Sequence, residues 1–546
     1  MQNGARARAW DCFYKSVFKS FFFFVSHGSF DSLNVMSSSS VDISNAGRRR
    51  SSILSNHSIS SVTTIQNERT PLVPKANDSL TSPTSYRKEA HWLFTNSLPI
   101  VLTYMLQTSL QMASVFSLGH IGPTELAAAA LANMFAAVSA WSLASGTTTA
   151  LDTMLSQAWT GASDKTLVGV HLQRALIILG IMFIPISMVW WRATDILLAL
   201  NQEEQLAQHA GLFLRYLLIG APANIAFEGV KKFCQAQGIM NASTWVLLIV
   251  APINALNNYL LVWYEPISLG FIGAPIATSF TYWLQLILLL LYIKFVRGHE
   301  AWGGWSTEAF KDWWPFIQLA IPGIFMVCSE WWSWEISALA ASYLSETDLA
   351  AQSIILTSAQ STYVIPFGIS VAASNRVGNL LGCAAASNAK KAARMAMVFA
   401  VVFGLLNSCF FLATRNVYGY LFTSDPDVVS RVASILPMCA LFQIADSAAG
   451  VCGGVVRGLG RQKIAAILNL VAYYLIALPI AYVLTFKLGW GLHGIWTGLT
   501  LALFIAGAGI VVFLMNVNWK AEVVRTLARV QHAEEELKFN TTHSAL

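Results

Sequence analysis

Two carboxylates stand inside a membrane-length apolar stretch, Pro322 to Leu344 (PGIFMVCSEWWSWEISALAASYL), where Glu330 and Glu335 are interleaved with Trp331, Trp332 and Trp334. A charged side chain near the centre of a bilayer costs roughly 2.5 to 3.5 kcal/mol on insertion scales, so intramembrane acids usually face a cavity, a proton path or an ion. An apolar surrounding disfavours the charged form of a carboxylate. Such an acid can bind a proton at one membrane face and release it when the site rehydrates or an organic cation arrives. Competition between proton and cation for one carboxylate is the simplest antiport chemistry. The two acids cannot point at one spot, because five helical positions at about 100° each put them about 140° apart. They could border different sides of a wide cavity. Trp331 and Trp334 are candidates to line it, since a cation over an indole face gains roughly 0.5 to 2 kcal/mol.

The elements that would hold these residues are membrane helices. The chain has 546 residues, 55% hydrophobic and only 11% charged, with a mean hydropathy of +0.54, against about 25% charged in soluble domains. Repeated apolar runs near 20 residues match helices spanning a hydrocarbon core of about 30 Å. Twelve spans are expected: 92–118, 124–149, 167–191, 206–226, 243–263, 269–296, 313–343, 347–371, 389–413, 428–452, 464–486 and 492–517. The formal charge of +6 is spread over short loops rather than gathered in a stripe, which points to lipid headgroups and away from nucleic acid. The seven cysteines form no CxxC or Cys/His cluster, so neither disulfide, metal site nor cofactor is expected. Neither HExxH nor GxSxG occurs, so nothing supports an enzyme.

Residues 1–88, rich in Ser, Asn, Arg and Thr, read as a disordered tail. Within it, ERTPLV (Glu68 to Val73) approaches an acidic dileucine sorting signal, with Val73 in the last place, and hints at vacuolar delivery; the plasma membrane is the other candidate. With the N-terminus cytosolic, one set of loops carries Lys165, Lys231, Lys232, Lys294, Arg297, Lys311, Arg376, Lys390, Lys391, Arg394, Arg457, Arg461 and Lys463, and the other little beyond Arg192, Arg415 and Lys487. Positive charge is retained inside, so both termini are expected in the cytosol. The sequons at Asn56, Asn77, Asn241 and Asn540 fall on the same side. Residues 520–546 then form a cytosolic tail whose amphipathic helix, Lys520 to Lys538, reads as solvated.

Internal similarity sets the architecture. The segment around Pro99 aligns with that around Pro322, 223 residues on; Leu126 falls on Leu349 at the same offset, and Gly270 falls on Gly491 at 221. Two six-helix lobes follow, 89–305 and 306–519, in the same membrane orientation. The pseudo-twofold should then run along the membrane normal, with the site between the lobes.

Four stretches, ALDTMLSQAWTGA (Ala150 to Ala162), CSEWWSWE (Cys328 to Glu335), SVAASNRVGNLLG (Ser370 to Gly382) and CGGVVRGLGRQKIAAILN (Cys452 to Asn469), resemble in order and spacing the motifs of the eukaryotic branch of the multidrug and toxic compound extrusion family. The resemblance implies a two-lobed, V-shaped transporter, working as a monomer, that exports organic and often cationic compounds or xenobiotics in exchange for protons or sodium. It places a second C-lobe acid at Asp446, in LFQIADSAAGVCGG. The sequence departs from relatives on the eighth helix, where Gln352, Thr357 and Gln360 stand in place of another acid, and on the first, where Gln107 occupies the neighbourhood of the acid of bacterial relatives. Proton coupling through Glu330, Glu335 and Asp446 is therefore favoured over an N-lobe mechanism. Asp152 and Gln157 in one half, and Arg376 and Asn379 in the other, are candidates to close a cytosolic gate by hydrogen bonds and ion pairs. The alternatives are a lipid or metabolite flippase or channel of the same fold, and a sodium-coupled antiporter.

Overall fold

The computed structural model describes residues 82–544, with side chains through Phe539, and is helical throughout that range. The dileucine-like stretch, Asn56, Asn77 and most of the predicted tail lie outside the described residues. The described residues form one compact unit.

Twelve membrane-length helical segments follow in order: α1 (Tyr86–Gly119), α2 (Pro123–Gly161), α3 (Leu167–Trp191), α4 (Glu204–Leu217 and Ala221–Ala236), α5 (Ala242–Val262), α6 (Gly270–Phe295), α7 (Trp314–Ser342), α8 (Glu346–Gly382), α9 (Ala386–Thr414), α10 (Pro426–Leu459), α11 (Gln462–Lys487) and α12 (Leu492–Met515). A last helix, α13 (Trp519–Ser544), follows them. Their starts are written locally. Ser85, Ser345 and Asp425 each accept a backbone N–H with the side chain just before α1, α8 and α10, satisfying a donor that the first turn leaves orphaned.

Among the described residues, nine of these segments are long and apolar enough to cross a membrane, and α4 makes a tenth when its halves, bent by 55°, count together. The two that fall short, α1 and α7, are related by the internal repeat and carry the polar residues discussed below. A helix that lines polar interior space cannot also be uniformly apolar.

Three spans run well past their expected ends. Helix α2 continues to Gly161 rather than 149, α8 to Gly382 rather than 371, and α10 to Leu459 rather than 452. The added turns are polar but buried, because they pack on one another. Close approach there depends on small residues: a Cβ at Gly454 of α10 would lie 2.2 Å from the Ser370 carbonyl oxygen of α8. Helix α4 likewise reaches Ala236, so Lys231 and Lys232 are helical rather than in a loop. Lys231, Arg376 and Arg457, counted above as loop charges, are buried.

Helix α7 sits at the seam between the halves, packed along α2 of the first and α11 of the second. At the α2 crossing a Cβ on Gly323 would fall 2.0 Å from Thr149 Oγ1, and the preceding Pro322 removes one backbone hydrogen bond from the helix. The residues just before Glu330 are thus both tightly packed and weakly held along the axis.

Replacing Gly454 by Val should lower the thermal unfolding midpoint of the detergent-purified protein, through an overpacking cost of about 1 to 3 kcal/mol. Gly180→Ala, where an added Cβ meets nothing within 4 Å, should leave the midpoint in place.

Candidate functional site

Glu330 lies on the middle turns of α7, partly open, and is within electrostatic reach of Arg457. Asp446, buried on α10, is within reach of Glu330, and the hydroxyls of Tyr363 (α8) and Tyr473 (α11) feel both acids. Four helices therefore converge on one pair of carboxylates. Among the described residues none donates a hydrogen bond to Glu330, Glu335 or Asp446. Glu335 has no charged neighbour of this kind. The structure brings Glu330 and Asp446 together and leaves Glu335 apart, in keeping with the angle between the two acids of α7.

The other cavity candidates divide. Trp331 is exposed, as are Thr357 and Gln360. Trp334 instead packs against Phe442 and Trp496 at 5.2 and 6.1 Å between centroids, and Gln352 is buried, accepting the Trp496 indole N–H at 2.7 Å. These two belong to the packing of the second half. Their aromatic and amide types suit a core as well as a cavity, and the sequence does not distinguish the two. Gln107 donates to Glu228 Oε1 at 2.9 Å and accepts from Lys231 Nζ at 3.3 Å. Glu228 escaped notice because the fourth span was ended at 226; an acid three residues before a lysine in an apolar stretch was the available signal.

Below the acids, the halves are locked together. Asp152 of α2 takes Lys232 Nζ at 2.5 Å on one oxygen and Arg457 Nε at 3.0 Å on the other, while Arg457 also donates to Ser370 Oγ at 2.9 Å. One carboxylate of the first half thus binds a cation from each half, in a buried place where water cannot substitute. Gln157 donates to the Gly458 carbonyl at 2.9 Å, and Thr153 to that of Arg457 at 2.5 Å. Asn379 donates to the Ala236 carbonyl at 3.2 Å, and its own carbonyl accepts from Thr160 at 2.6 Å. Arg376 makes a two-pronged pair with the buried Glu89 of α1, at 3.0 and 2.7 Å, and lies over the Trp92 ring. All four gate candidates make contacts between the halves. Their partners Arg457, Lys232 and Glu89 come from segments that had been read as loop or tail.

Helix α13 is not a solvated tail. Val523, Thr526 and Val530 are buried. Glu534 accepts from the backbone N–H of Ser163 and Asp164, Arg529 donates to Gln157 Oε1 at 2.7 Å, and Glu522 pairs with Arg461 at 2.8 Å. It therefore straps the α2–α3 loop to the α10–α11 loop. Near its end Asp312, His532 and Glu536 bring ligand-type atoms within 4.8 Å of one another, a set the sequence reading did not anticipate. Arg174 lies 3.8 Å from Asp312 and supplies positive charge there. A hydrogen bond with Asp312, then burial, hold the Glu536 carboxyl above its ordinary range.

The comparisons follow the same lines. The family model described as MatE matches twice, over residues 99–260 and 322–483, the same 223-residue offset as the internal repeat. An uncharacterized transporter of Schizosaccharomyces pombe is 43% identical over 79% of this chain and 80% of its own. Multidrug and toxin extrusion protein 2 of Mus musculus is 34% identical, over 82% of this chain and 78% of its own. Protein DETOXIFICATION 15 of Arabidopsis thaliana is also 34% identical, over 82% and 92%. Among solved structures, the eukaryotic MATE transporter AtDTX14 superposes with a TM-score of 0.76 at 30% identity, covering 82% of this chain and 99% of that one.

Two outcomes test this geometry. Asp152→Asn leaves Lys232 and Arg457 buried against a neutral amide, so stability should fall by about 3 to 5 kcal/mol, read as a lower unfolding midpoint. Because the Glu536 carboxyl is held above its ordinary range, the docking of α13 is strongest below that range and weakens as pH rises through the shifted value. Amide hydrogen exchange of α13, corrected for the intrinsic pH effect, should speed up with pH in the wild type and lose that extra dependence in Glu536→Gln.

Proposed function

The chain belongs to the MatE family of multidrug and toxin extrusion transporters, and from that premise we propose that it exports organic cations or xenobiotics in exchange for protons, with Glu330 as the principal proton carrier. Asp446 and Glu335 support it. The observation that carries this reading is the proximity of Glu330 and Asp446 on two different helices of the membrane region, with no hydrogen-bond donor committed to either among the described residues. Two charged carboxylates in reach of each other repel. Binding a proton or an organic cation relieves that repulsion, so the two ligands compete for the same place. Arg457, within electrostatic reach of Glu330, is itself engaged by Asp152 and Ser370.

The position of α7 supports coupling between that event and the movement of the halves. It spans the seam, and Pro322 and Gly323 lie two turns before Glu330, so a change of charge at Glu330 acts on the segment best able to bend. The gate around Asp152 then opens and closes the face from which cargo enters. We place that face in the cytosol, with both termini, and the protein, as a monomer, in the vacuolar or plasma membrane. The charges in loops or at helix ends that support this orientation include Lys165, Arg297, Lys390, Arg394 and Lys463, since Lys231, Arg376 and Arg457 serve buried contacts.

In reconstituted vesicles, Glu330→Gln should abolish proton-gradient-driven exchange of an organic cation while the protein still folds, and Asp446→Asn should slow exchange or shift its pH dependence. Wild-type rates in Glu330→Gln at matched protein density would reject Glu330 as the carrier. A wild-type dependence on sodium would reject proton coupling.

A further inference from the structure

A second charged group lies inside the first half. Lys231 of α4 is buried completely at its side chain, donates to Glu228 Oε1 at 2.7 Å, and lies 4.3 Å from the centroid of the Tyr104 ring. Gln107 donates to the same Glu228 oxygen. Glu228 itself is about a quarter open, 26% at its side chain, although it lies within the helical bundle and not on its periphery. One oxygen of the carboxylate is thus held by a fully buried lysine, which Gln107 also engages, and the side chain is otherwise partly open.

The surroundings connect this group to the acids of the second half. The Tyr104 ring of α1 meets Phe367 of α8 edge-on at 4.8 Å, and Phe367 lies 5.8 Å from Tyr363, whose hydroxyl feels Glu330 and Asp446. Three aromatic rings therefore run from one charged group to the other across the seam. Flat apolar faces with a carboxylate at each end suit an aromatic or bulky apolar molecule that carries positive charge.

We infer that Glu228 is a cargo anchor in the first half, shared between the Lys231 ammonium and the positive group of an aromatic or quaternary organic cation. This rests on the organic-cation export proposed above and adds a division of labour. Glu330 exchanges a proton for cargo; Glu228, already paired, holds cargo without exchanging one. The pair also sets the affinity, because Lys231 competes with cargo for the same carboxylate. Removing Lys231 should tighten binding, whereas removing the carboxylate should weaken it. Opposite signs from the two partners of one ion pair are not what a purely structural pair would give, since breaking such a pair from either side disrupts the same fold.

The test is equilibrium binding of ethidium, followed by fluorescence, to the full-length purified protein in detergent, with tetraphenylphosphonium as competitor; it needs no proton gradient. Glu228→Gln/Lys231→Met removes both charges together and avoids an unpaired buried lysine. Its Kd for ethidium should rise about tenfold, the loss of one charge-assisted contact, while the pH dependence of binding stays as in the wild type. Lys231→Met alone should lower the Kd. Wild-type affinity in the double variant, or equal weakening in both variants, would overturn the assignment of Glu228. If these arms behave as expected while the vesicles show no proton-driven exchange, the coupling reading fails and the anchor stands. A wild-type protein that binds neither cation overturns both.

Discussion

A single buried carboxylate, Asp152, holds a lysine from its own half and an arginine from the other. Taking three charges out of water is costly unless each is satisfied, and removing one member leaves the others stranded. The surrounding backbone repeats this logic with neutral groups. Gln157 and Thr153 of α2 reach carbonyls at the end of α10, and Asn379 of α8 reaches the end of α4. The contacts of Gln157, Thr153 and Asn379 each join the two halves.

The same arginine lies between this junction and the acids. Arg457 is hydrogen-bonded to Asp152 and lies within electrostatic reach of Glu330. The charge of Glu330 is therefore felt at an ion pair that joins the two halves. Helix α7 offers a second route through its proline and its tight glycine crossing with α2. Both routes begin at one side chain, and both end at contacts between halves.

Helix α13 adds a strap from outside the bundle. It caps the α2–α3 loop with Glu534 and pairs with the α10–α11 loop through Glu522. Its anchor beside Asp312 is just ahead of α7, so the strap touches both the contacts between the halves and the start of the helix that carries Glu330. Its apolar side, from Trp519 to Leu537, packs on the bundle, and its ion pairs are partly exposed.

Much of this was legible in the chain. Apolar run length determined the number of helices, because a bilayer leaves no other way to satisfy the backbone. The 223-residue offset determined the two halves, and the family model matches twice at that offset. The cost of an acid in hydrocarbon drew attention to Glu330, and Asp152, Gln157, Arg376 and Asn379, chosen at corresponding ends of the two halves, all contact the opposite half. Tertiary structure alone decided the rest. Hydropathy ended α2, α4, α8 and α10 at their first polar turns, yet those turns are buried against one another, so Lys232, Arg457 and Glu228 were assigned to loops or passed over. Trp334 and Gln352 were taken for cavity residues, but they pack with Trp496 inside the second half. A sequence records that a side chain is polar or aromatic; only the approach of distant helices determines whether it meets water, cargo or a partner of opposite charge, since that depends on contacts between residues about 80 to more than 300 positions apart.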